Sequence, residues 1–276
     1  MKRLNLCSTI LLSLTLFLFL NSCSKSNSSS NNATVTKHWD IIMNAKFENP
    51  APAGRSETGT AALDLYSDNT MKFTIKVTGL AATDALTAAH IHIGDAITSG
   101  PVILGFNPTF TNGTATGQVS LRPTLSDSLI NGKAEFYVNV HTTQVPGGLL
   151  RGQFNNPVIF AADVPMVGAN EVPPVITTAA GLAILRLTTD KTLYAIVTFT
   201  GLESGDAMTA SHIHNAATGV NGSIIIALCV SLADFGKELK FPGTTDANIT
   251  LLTTAPLYVN AHSTNHPAGI IRGQIR

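Results

Sequence analysis

The sequence predicts an all-β protein that uses one antiparallel sandwich twice. Three observations carry this: a long internal repeat, segments that alternate apolar and polar residues, and little helical periodicity. Residues 78–92 read TGLAATDALTAAHIH and residues 200–214 read TGLESGDAMTASHIH, identical at ten of fifteen positions at an offset of 122. YVNVH at 137–141 and YVNAH at 258–262 match at an offset of 121, as do Arg151-Gly152-Gln153 and Arg272-Gly273-Gln274. Self-similarity at a fixed period marks one structural unit used again. The domains therefore run over 36–155 and 158–276, with Asn155-Asn156-Pro157 as the link. Upstream, Glu48-Asn49-Pro50 loosely parallels Glu171-Val172-Pro173-Pro174.

Each element follows from local pattern. Residues 61–65 and 71–77 alternate apolar and polar side chains, the mark of a half-buried strand. Asp68-Asn69 between them is a turn signal. The second unit repeats this at 183–187 and 193–199 around Asp190-Lys191. Segments 102–106, 114–121, 134–141 and 148–154 add strands, and 125–130 is the place for one short helix. Seven or eight short strands in about 120 residues read as an antiparallel sandwich.

The first residues read as an address. Lys2 and Arg3 precede an apolar run at 10–20, too short to span a bilayer and of the length of a secretory signal. The run ends in Leu20-Asn21-Ser22-Cys23, which resembles a bacterial lipobox. Residues 1–22 are then a lipoprotein signal peptide, Cys23 is the lipidated residue, and 23–35 form a polar Ser/Asn tether with nothing to bury. The implied location is the cell envelope, with the outer membrane as destination and the face unspecified. The partner implied at this end is the membrane, reached through the lipid. Loss of Cys7 with the signal and use of Cys23 for lipid leave Cys229 alone in an apolar run, a buried thiol.

Charge excludes other classes. Only 12% of residues are Asp, Glu, Lys or Arg, about half the usual share. The seventeen basic and seventeen acidic residues cancel, so no basic excess exists to neutralise phosphates, and nucleic acid is not a partner. A 44% hydrophobic content excludes disorder. Loss of Lys2 and Arg3 with the signal leaves fifteen basic residues against seventeen acidic ones. No Gly-x-Ser-x-Gly elbow, phosphate loop or His-Glu-x-x-His motif is present.

Six of the eight histidines fall in two triplets: His90, His92 and His141, then His212, His214 and His262. Residues i and i+2 of a strand share a face, so each His-x-His pair points both imidazoles one way. Three neutral imidazoles suit zinc or copper, with a fourth position open to water. Alternatively, these histidines bond backbone carbonyls, and Arg151, Gln153, Arg272 and Gln274 pin the final strand of each unit.

GANEVPP at 168–174, TGL before each His pair, His-Ile-His, YVNVHT at 137–142 and the closing Arg-Gly-Gln resemble the CHRD family, named after chordin, over nearly all of 40–276. The resemblance implies two consecutive immunoglobulin-like or superoxide-dismutase-like antiparallel β-sandwiches, and no established catalysis. The copper/zinc superoxide dismutases also carry His-x-His on a strand, a later Val-His and, near the end, a Gly-x-Arg whose arginine steers the anionic substrate; Gly148-Leu149-Leu150-Arg151 and Gly269-Ile270-Ile271-Arg272 lie in a similar place. Their bridging histidine, zinc loop and disulfide have no counterpart here. Two functional readings follow. One is a lipid-anchored, non-enzymatic envelope protein whose tandem modules bind a protein or surface component. The other is a copper- or zinc-binding protein using the triplets, with superoxide chemistry as an extension.

Overall fold

A computed structural model describes residues 33–276, so the signal, Cys7, Cys23 and nearly all of the tether lie outside the described residues. The first repeat comprises β1 (Val35–Asn44), β2 (Thr58–Tyr66), β3 (Thr70–Thr78), β4 (Leu86–Ile93), β5 (Val102–Gly105), β6 (Thr114–Ser120), α1 (Pro123–Asn131), β7 (Phe136–Thr142) and β8 (Leu150–Gln153). The second comprises β9 (Val158–Val167), β10 (Ala180–Thr188), β11 (Leu193–Thr200), β12 (Met208–Asn215), β13 (Ser223–Cys229), β14 (Leu239–Phe241), α2 (Asp246–Thr254), β15 (Leu257–Ser263) and β16 (Ile271–Gln274).

Each repeat is one eight-stranded antiparallel sheet, ordered β5-β4-β7-β8-β1-β2-β3-β6 and β13-β12-β15-β16-β9-β10-β11-β14. The two halves of each sheet meet at one narrow pairing, Asn44 with Arg151 and Val167 with Arg272. That seam lets the halves fold over a shared core. Ile41, Met43, Leu63 and Ile75 from one half pack with Ile91, Val138, Val140 and Leu150 from the other. The alternation of β2 and β3 is the cause: their even-numbered residues face out and their odd-numbered ones are buried.

The expected helix is α1, and a matching α2 stands in the second repeat. The two longest strands, β1 and β9, went unpredicted. In β1 the alternation starts only at Trp39, because the first four residues are exposed. In β9, Pro165 interrupts the strand signal.

The repeats are packed together. Arg186 donates to the Glu48 carbonyl and, at 2.7 Å, to Asp163 Oδ1, while the Ala51 amide donates to Asp163 Oδ2 at 2.8 Å. Ala96 and Ile97 of the first repeat join Val158, Ile184 and Tyr194 of the second in a third apolar cluster.

Candidate metal centre

In β4 and β7, Ile91, Val138 and Val140 enter the core, so His90, His92, Tyr137, Asn139 and His141 share the other face. Register sets their neighbours. His90 pairs with Asn139 and His92 with Tyr137; across the next seam Asn139 pairs with Arg151 and Tyr137 with Gln153. The second repeat reproduces this with His212–Asn260, His214–Tyr258, Asn260–Arg272 and Tyr258–Gln274. The His-Ile-His, Tyr-Val-Asn-x-His and Arg-Gly-Gln blocks thus converge on one sheet face.

The three histidines of each repeat meet. His90 Nδ1 lies 3.1 Å from His141 Nε2, and His212 Nδ1 lies 3.1 Å from His262 Nε2. One nitrogen from each ring of a triplet lies within 4.8 Å of the other two. Two rings per triplet are fixed in tautomer. His92 Nδ1–H donates to the Gly100 carbonyl and His141 Nδ1–H to the Pro146 carbonyl, both at 2.9 Å. His214 donates likewise to Gly222 at 2.9 Å and His262 to Pro267 at 3.0 Å. Each Nε2 therefore carries a lone pair, and those of His92 and His214 are buried without a partner among the described residues. Burial holds His90, His92, His141 and His262 below the usual imidazole range. Burial, with the neighbouring imidazoles, pushes His212 down to about 4. Neutral imidazole is the ligating form. Two imidazole nitrogens bound tetrahedrally to one zinc or copper ion stand roughly 3.4 Å apart, so the observed 3.1 Å fits such an ion.

Arg-Gly-Gln acts on this site from behind. Arg151 stacks on Tyr137 with Cζ 3.5 Å from the ring centre, and Tyr137 stacks on His92 at 4.8 Å. Arg272, Tyr258 and His214 form the same layered stack, at 3.4 Å and 4.7 Å. Arg151 donates to the carbonyls of Asp95 and Thr98, and Gln153 to that of Gly94. Arg272 and Gln274 bond Ala217, Val220 and Ala216. These are the loops that end in Gly100 and Gly222, the carbonyls that orient His92 and His214. Arg-Gly-Gln thus ties the final strand of each repeat down through arginine hydrogen bonds to carbonyls, and those carbonyls belong to the loop behind a histidine. Both arginines are only 1% exposed.

Behind the histidines sits a buried acid, which the sequence marks only as a loosely repeated position and not as part of the site. Asn139 Nδ2 donates to both oxygens of Glu48, at 3.0 and 3.2 Å. Burial pushes Glu48 up to about 7, opposed by the charge of Arg151 and the Asn139 bond. Glu171 is likewise pushed up to about 7 by burial, against Arg272 and Asn260. Period two would have found Asn139 and Asn260, two residues before a triplet histidine in both repeats. Clefts of about 380 and 400 Å³ open beside these groups, one lined by Glu48, His92, Tyr137 and Asn139, the other by Glu171, Pro174, Thr218 and Arg272. Cys229 is buried, which pushes its thiol up to about 12. No helix among the described residues is long and apolar enough to cross a membrane.

The family model described as CHRD domain matches the chain twice, at 40–154 and 163–275. No curated protein and no solved structure matches.

Proposed function

The chain belongs to the CHRD domain family, and we propose that it is a tandem binding protein whose two domains each hold a zinc or copper ion through a histidine triplet. One observation carries this reading. The Nε2 atoms of His92 and His214 are buried, bear lone pairs and have no partner among the described residues. A buried acceptor left bare costs about 1–3 kcal/mol, and the same vacancy in the hydrogen bonding occurs in both repeats. Imidazole donors suit zinc and copper. An ion there supplies Lewis acidity or, as copper, one-electron exchange. The chain's own residues fix the tautomers of His92, His141, His214 and His262 and bury the Nε2 atoms of His92 and His214. The reading is metal retention rather than dismutation, since neither buried arginine is free to guide an anion.

The lipobox-like Leu20-Asn21-Ser22-Cys23 and the polar tether support anchoring of both domains to an envelope membrane. Membrane fractionation of Cys23→Ala tests that part: the variant leaves the membrane pellet if the anchor is lipid.

Metal content after loading with Zn²⁺ or Cu²⁺ and removal of excess tests the centres. The expected result is two ions per chain, one for each triplet. Paired His90→Ala/His92→Ala or His212→Ala/His214→Ala substitutions each remove one ion. Binding that is absent, or unchanged in these variants, overturns the proposal.

A further inference from the structure

Glu48 and Glu171 are buried acids behind the histidines, each with an asparagine between it and the triplet. An amide has one donating and one accepting end. In the first repeat the carboxyl of Glu48 takes the donating end of Asn139. The accepting end, Oδ1, is buried without a partner among the described residues. Asn139 stands directly opposite His90 in register and two residues before His141, so its side chain rises from the same face as the triplet. In the second repeat, Asn260 Oδ1 lies 3.1 Å from His262 Nε2, the same separation as His212 Nδ1 from that nitrogen. His262 has already committed its Nδ1–H to the Pro267 carbonyl. Two lone-pair acceptors then face each other with no proton between them, an arrangement that a cation relieves.

The backbone is built around this pair. Gly148 has φ 135°, and a Cβ there would stand 2.7 Å from both amide atoms of Asn139 and 2.8 Å from Glu48 Oε1. Gly269, at φ 132°, would meet Glu171 Oε1 at 2.6 Å and Asn260 Nδ2 at 2.9 Å. Only glycine leaves room for the amide and its carboxyl in this position.

We infer that the side-chain oxygens of Asn139 and Asn260 are the fourth donors of the two centres, completing N₃O sets, and that Glu48 is a positioning residue that turns the Asn139 amide. This rests on the metal reading and sharpens it. A fourth protein donor closes the coordination sphere, which is the arrangement of sites that retain an ion rather than present it to substrate. The position expected to be open to water is taken by the chain itself.

The test uses Co²⁺ as a spectroscopic probe and Zn²⁺ competition for affinity, in the chain carrying His212→Ala and His214→Ala so that only the first centre binds. Asn139→Ala is expected to change the visible Co²⁺ spectrum and to weaken Zn²⁺ by at least about tenfold, the scale found for groups that hold a ligand in place. Asn139→Asp keeps an oxygen there and is expected to restore binding, which separates ligation from folding. Glu48→Gln is expected to weaken binding less, in the same direction. A spectrum and affinity unchanged by Asn139→Ala, with binding still abolished by His90→Ala, overturns the inference and leaves the histidine centre standing; that is the outcome if the amide is reversed and merely donates to His141. Failure of the parent chain to bind at all overturns the metal reading instead.

Discussion

The outer faces of β1–β2–β3 and β9–β10–β11 occupy the same place in the two repeats and have opposite chemistry. Asp40 pairs with Ala62, Ala62 with Thr74, and Asp64 with Lys72 in the first. At the matching register positions the second has Asp163 with Ile184, Ile184 with Ile196, and Arg186 with Tyr194. The first face is polar and open, so β2 keeps its strict alternation. The second is covered by the first repeat, so β10 is buried on both faces from Ala183 onward. The loops behind the histidines differ in the complementary sense. Asp95-Ala96-Ile97 is buried against the second repeat, whereas Ala217-Thr218-Gly219 is exposed. An apolar loop of the first repeat meets an apolar face of the second.

The sharpest way to break this comparison is to change one register position in both repeats. Arg186→Ala removes a guanidinium with no exposed surface and strands Asp163. Loss of one partner of a buried pair costs about 3–5 kcal/mol, to be read from urea unfolding. Asp64→Ala removes only an exposed contact to His38 and is expected to cost less than about 1 kcal/mol. Equal effects would mean that the two faces are energetically alike. Next in size, Ile97→Ala opens a cavity in the third cluster and is expected to cost about 2–4 kcal/mol. Thr218→Ala, in the corresponding exposed loop, is expected to stay within about 0.5 kcal/mol.

The smallest effect concerns the centres. Lys240 of the second repeat pairs with Asp95, whose other oxygen accepts from the amides of Ile97 and Thr98. Ala217 replaces Asp95 in the second repeat, so the second loop lacks this brace. Lys240→Ala is expected to weaken Zn²⁺ at the first centre by about two- to threefold, less than loss of a group that touches a ligand, and to leave the second centre unchanged. Removal of a positive charge alone would strengthen cation binding. The direction of the change therefore separates positioning from electrostatics in a competition titration.

The sequence by itself determined the alternating strands such as β2 and β3, the duplication and the facing of each His-x-His pair. These rest on period two, which is local: Ile91 goes inward, so His90 and His92 go outward. It also named His141 and His262 as partners through the repeated Tyr-Val-Asn-x-His block. Only the tertiary structure decided what those side chains meet. β4 lies beside β7 although β5 and β6 intervene, and that register sets His90 opposite Asn139. The Gly100 and Pro146 carbonyls choose the tautomers, Arg151 reaches back to the loop, and Glu48 turns Asn139. Each is a contact between residues distant in the chain, fixed by how the folded sheet closes on itself. The same holds for the two outer faces. Ile184 and Ala62 sit on equivalent strands, and only the docking of one repeat on the other explains why one is apolar and buried while the other borders solvent.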